Sequence, residues 1–160
     1  MPMNQDQSAP SGIGGWLILI AVGLCLTPIR IGAEIVQGVR SLQPLAWRAV
    51  TTPGSPAYHP LFGPLIIGEM VANAALLGWA LVLLYLFLTK RRAFPRAMIA
   101  FLIVRVVIQM ADIFVASSIP VAAGSIGPRV YGSLAGNLLV VLVWVPYFLK
   151  SRRVAATFVR

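Results

Sequence analysis

Charge is what this sequence has least of: 11% of its 160 residues are Asp, Glu, Lys or Arg, and only four of those are acidic. A soluble domain carries about 25% charged residues, so an ordinary water-facing shell is excluded. Histidine occurs once, at His59, and cysteine once, at Cys25. One histidine, placed in a turn, rules out a haem held by two histidines, an HExxH zinc site and a membrane-buried Ser-His dyad within one chain. One cysteine rules out an intrachain disulfide and a thiolate metal site. Cys25 therefore reads as a small apolar filler of the first hydrophobic run, and His59, in the Tyr58-His59-Pro60 turn, as a loop residue. No Gly-rich phosphate loop precedes a helix, and Ser133 has no base beside it in the pattern. The expectation is a chain that is not an enzyme, with no metal and no cofactor.

What fills the sequence instead is hydrocarbon, at 59% hydrophobic residues and a mean hydropathy of +0.87. The apolar runs are long and lack the alternation of barrel strands, so each must satisfy its backbone as a helix. The predicted fold class is all-α, an integral membrane four-helix bundle forming a single domain over residues 1–160. Spans are expected at about 13–36, 61–89, 97–119 and 130–149, after a polar, flexible tail at 1–11 and before a basic juxtamembrane tail at 150–160. Four prolines between residues 37 and 60 exclude a continuous helix there. Leu45, Ala46, Trp47, Ala49 and Val50 suit one short interfacial helix. Pro146 is expected to end or kink the fourth span.

Basic residues cluster at the ends of spans. Lys90, Arg91, Arg92 and Arg96 fill the second turn, and Lys150, Arg152, Arg153 and Arg160 follow the last span, against Arg40, Arg48 and Arg129 on the other side. Such flanks mark the cytoplasmic side, so both termini are expected there, although the first span on its own has basic residues after it and none before. Lys90, Arg91, Arg92, Arg96, Lys150, Arg152 and Arg153 are the candidates for contact with anionic lipid headgroups. The same placement, without a recognisable module, argues against nucleic acid as a partner.

The informative residues are the polar ones inside the spans. A charge in hydrocarbon costs roughly 2.5–3.5 kcal/mol on insertion scales, so it turns inward and finds partners. Arg105, Gln109 and Asp112 share a helical face by their i, i+4, i+7 spacing, and Arg30 with Glu34 and Glu69 with Asn73 each lie one turn apart. Three stripes then converge inside the bundle. Counted from the cytoplasmic ends, Arg30 stands at about 25 Å, Asp112 at about 22 Å and Arg105 at about 12 Å, which makes Arg30 with Asp112 the level pair. The cluster serves either as a clamp between helices or as a proton or solute path. Gly132 and Gly136, followed by Asn137, form a GxxxG spacing suited to close helix packing within the chain.

Several stretches together resemble a known family: Gly12-Ile13-Gly14-Gly15-Trp16 opening the first span, Tyr58-His59-Pro60 before the second, Glu69 and Asn73 within it, and the ending from Trp144 through Pro146-Tyr147-Phe148, Ser151-Arg152-Arg153-Val154 and Thr157-Phe158-Val159. They are similar to the bacterial membrane proteins called domain of unknown function 2569. The resemblance implies a four-span protein of the bacterial inner membrane and supplies no catalytic residues. Val154, Thr157 and Phe158 then offer a short apolar face for lipid or a partner. Two functions remain open: an accessory or interaction subunit of a membrane complex, partnered by another membrane protein or by itself, and a small proton- or ion-coupled transporter working through the intramembrane charges.

Overall fold

In hydrocarbon no water completes a backbone hydrogen bond, so an apolar run of some twenty residues closes its own i to i+4 ladder. A computed structural model describes residues 14–159 and places a long helix at each of the four apolar runs. In chain order the elements are α1 (Trp16–Ser41), α2 (Pro44–Thr51), α3 (Phe62–Leu88), α4 (Phe94–Ser117), α5 (Pro120–Ala123), α6 (Pro128–Lys150) and α7 (Arg152–Thr157). Among the described residues there is no strand. Helices α1, α3, α4 and α6 are each long and apolar enough to cross a membrane, and the fold is an all-α membrane bundle. The tail expected at residues 1–11 lies outside the described residues, as do Gly12, Ile13 and Arg160.

Proline sets several helix starts. Pro44, Pro120 and Pro128 are the first residues of α2, α5 and α6, and Pro95 the second of α4, where the missing N–H would have had no helical partner anyway. Pro146 does not end α6, which runs through it to Lys150. The interfacial segment forms α2, whose Trp47 ring lies against Gly63 at the start of α3; a Cβ there would stand 3.6 Å from that ring and 3.4 Å from the Thr51 methyl.

Helix α1 packs along α3, α3 along α4, and α4 along α6. The four thus form an open arc. Its tightest part is at the end where α3 stops and α4 starts, the end that carries the basic residues. There Phe94 is fully buried, stacked on Phe158 at 4.6 Å and edge-on to Phe87 at 5.1 Å and Phe148 at 5.9 Å. These rings come from α3, α4, α6 and the chain's end. Val154, Thr157 and Phe158 are therefore not a free docking face: α7 folds back and buries them in the protein's own bundle. Ser151 begins α7 by accepting a hydrogen bond from the Val154 N–H, and Arg92 Nε donates to the Val159 carbonyl at 2.7 Å.

The turn joining α3 to α4 closes with Lys90 N–H donating to Phe87 O and Arg91 N–H to Leu86 O. This is a Schellman pattern, and it puts Lys90 at φ 52, a conformation that glycine ordinarily fills. Six of the seven basic side chains expected at headgroups are exposed around this end; Arg153 instead lies over Gly14 and Gly15 at the start of α1.

Two expectations of interior packing are corrected. Cys25 is exposed on the outer surface of α1 and fills nothing inside. Around Gly132 and Gly136 there is open space, so their spacing draws no helix of this chain close. Helix α6 touches the bundle mainly through other residues and has the smallest buried share of the four spans.

Candidate functional site

Away from the aromatic end the helices part around a polar cavity of about 620 Å³. It takes its walls from all four long helices: Arg30 and Glu34 from α1, Glu69 and Asn73 from α3, Arg105, Gln109 and Asp112 from α4, and Ser133 and Asn137 from α6. The spacing of one turn or two within each helix is what turns these side chains to a common side. The cavity extends from Leu76 and Arg105 up to Ser41, the last residue of α1. We call it the vestibule.

The seven polar residues singled out by spacing all line this one space. Their pairing differs from the expected one. Arg30 Nε bonds Glu34 Oε1 at 3.2 Å on its own helix, and Arg105 reaches the same oxygen at 3.9 Å from α4. Asp112 makes no ion pair or hydrogen bond among the described residues. Arg30 meets Glu34 one turn along its own helix, a partner whose position depends on no neighbouring helix. Arg105, with 17% of its side chain exposed, is the most enclosed of the three charges in the pair network; Glu34 keeps 38% and Arg30 54%.

A second network joins α4 to α6. Asn137 Nδ2 donates to Gln109 Oε1 at 2.6 Å, and Gln109 Nε2 donates to Ser133 Oγ at 3.3 Å. Asn137 thus supplies the packing contact expected of the Gly132, Gly136, Asn137 set, without the glycines. Ser133, Gln37 and Ser41 are the polar lining residues that pattern analysis did not place, yet Ser133 stands one turn before Asn137, the same signal that revealed the other stripes.

Chemically the vestibule is ordered by height. Along α4 Asp112 stands about 10 Å farther from the basic end than Arg105, and along α3 Glu69 about 10 Å farther than Leu76. Two guanidinium groups share one carboxylate, while two carboxylates without a bonded partner lie beyond Arg105 and Leu76 toward the mouth. His59 takes no part: its Nδ1 accepts the Leu61 N–H at 3.3 Å in the loop before α3.

Below the vestibule, between α1 and α6, runs an apolar groove of about 220 Å³ floored by Phe101, Leu102 and Val106 of α4. Arg30, Arg105 and Asn137 line both spaces, so the groove opens into the vestibule. Its other end meets the Trp16–Trp144 edge contact, at 6.0 Å between ring centres.

A family model described as "Protein of unknown function (DUF2569)" matches residues 10–159. No curated protein and no solved structure matches the chain.

Proposed function

The chain belongs to the DUF2569 family, and we propose that it is a non-enzymatic, ligand-holding subunit of a membrane assembly. One observation carries this: eleven polar side chains from four helices line a single vestibule, and two of its carboxylates, Glu69 and Asp112, have no bonded partner among the described residues. Carboxylates left without partners in a membrane interior are costly unless water or a ligand meets them. Binding suits the lining better than catalysis, since the Ser133 hydroxyl accepts from an amide and stands beside no base to activate it. Carrier action by one chain would need the opposite end to open, and that end holds the interlocked Phe87, Phe94, Phe148 and Phe158. The sparsely covered α6 supports a membrane partner. In this proposal the basic end faces the cytoplasm of a bacterial inner membrane, its exposed Lys90, Arg91, Arg92, Arg96, Lys150 and Arg152 meeting anionic headgroups.

Crosslinking in cells followed by purification in mild detergent tests the subunit role. A reproducible partner, or a defined homo-oligomer, joined through residues introduced on α6 is the expected result. A protein that stays alone and monomeric under every mild condition contradicts it.

A further inference from the structure

Groove and vestibule together form one cleft whose chemistry changes in a fixed order. It begins with Leu19, Leu24, Phe101 and Val140, passes Arg105 and Arg30, and ends at Asp112 and Glu69. From the basic end upward the order is apolar, cationic, anionic. A complementary ligand has a hydrocarbon chain, then an anionic group, then an ammonium. We infer that the cleft holds a single-chain zwitterionic amphiphile, of the type in which a phosphate joins the chain to an amine-bearing head. This rests on the vestibule being a ligand site and names its occupant.

Charge complementarity supports the head's orientation. Arg30 and Arg105 have only Glu34 between them, leaving one positive charge in excess at the junction, where the phosphate would lie. Asp112 stands about 10 Å beyond Arg105 along α4, the side on which the amine emerges, and Glu69 lines the same space. The groove's length decides between a lipid chain and a partner helix. A helix crossing the membrane needs about 30 Å of continuous track, and along α1 this groove runs only from Leu19 to Arg30, about 16 Å. A hydrocarbon chain ends where the groove does.

Gly23 provides a clean probe, because it lines the groove and a Cβ there meets nothing within 4 Å. Gly23→Leu sends a side chain into the groove from an open Cβ position and favours the helix. Gly78→Leu, on the outer face of α3 and equally open, is the control. The measurement is quenching of Trp16 and Trp144 emission by lysophosphatidylethanolamine brominated along its chain, titrated into the protein in maltoside detergent. Saturable quenching is expected for the native chain and for Gly78→Leu, and at least tenfold weaker binding for Gly23→Leu and Arg105→Gln. The double variant Glu69→Gln, Asp112→Asn should weaken the ethanolamine lipid at least tenfold while leaving the equally brominated glycerol-headed lysolipid within twofold. Melting curves of each variant guard against unfolding, and Gly23→Leu tests the groove without touching a charge. Binding that ignores both Gly23→Leu and the head group overturns the inference. The vestibule itself is judged separately by aqueous thiol labelling of Asn73→Cys: labelling with no selective lipid binding removes the amphiphile alone, and absence of labelling removes both.

Discussion

Removing the carboxylate of Glu34 should couple to Arg105 and not merely add to its loss. The two groups stand 3.9 Å apart across α1 and α4. A unit pair at that distance is worth about 4 kcal/mol at an effective dielectric near 20 and about 1 kcal/mol in water. Arg105 is well enclosed, but Glu34 keeps 38% of its side chain exposed, so the coupling belongs toward the lower end, at about 1–2 kcal/mol. Arg30 adds little, because a half-exposed i, i+4 pair is worth about 0.3–0.5 kcal/mol. The assay is a double-mutant cycle of Glu34→Gln and Arg105→Gln, followed by unfolding in a single detergent. Arg30→Gln with Asp112→Asn serves as the second cycle, expected to be additive within about 0.5 kcal/mol. Additivity at Glu34 and Arg105, with coupling above about 1 kcal/mol at Arg30 and Asp112, would refute the pairing described and restore the one that helix spacing suggests.

Three further outcomes are expected. Phe158→Ala, which empties the stacked position on Phe94, should destabilise by about 3–5 kcal/mol in the same unfolding assay, and a change below about 1 kcal/mol would mean the tail is not part of the core. Lys90→Gly should stabilise by about 0.5–1 kcal/mol by relieving the left-handed backbone, whereas destabilisation would show that the Schellman turn is not formed. A reporter fused after residue 159 should give a cytoplasmic signal and one inserted at Gly54 a signal from the other side; the reverse at both places would invert the orientation.

Hydropathy was enough to locate the long helices, because a run that must cross hydrocarbon leaves few alternatives to a helix. Its boundaries were less legible: α1 goes on to Ser41 and α4 begins three residues earlier than expected, at Phe94. The i, i+4, i+7 spacing of Arg105, Gln109 and Asp112 did reveal a shared face, and the structure gathers that face with the stripes of α1 and α3. Spacing within one helix carries no information on how neighbouring helices are rotated, so Glu34 as the common partner of Arg30 and Arg105 was not visible. The aromatic end was hidden for another reason. Phe87, Phe94, Phe148 and Phe158 lie far apart along the chain, and Phe158 follows a basic stretch that reads as a surface tail until α7 is seen to fold back.

The central claim, that the charged interior is a water-filled vestibule open away from the basic end, is tested most directly at Asn73. With Cys25→Ser removing the native thiol, Asn73→Cys places a single thiol on the vestibule wall, and Leu83→Cys places one in the fully buried core as a reference. A charged, membrane-impermeant thiol reagent is applied in turn to each face of sealed vesicles. Rapid labelling is expected at Asn73→Cys from the face opposite Lys90 and Lys150, and none at Leu83→Cys from either. Protection of Asn73→Cys from both faces, or labelling only from the basic side, would contradict it.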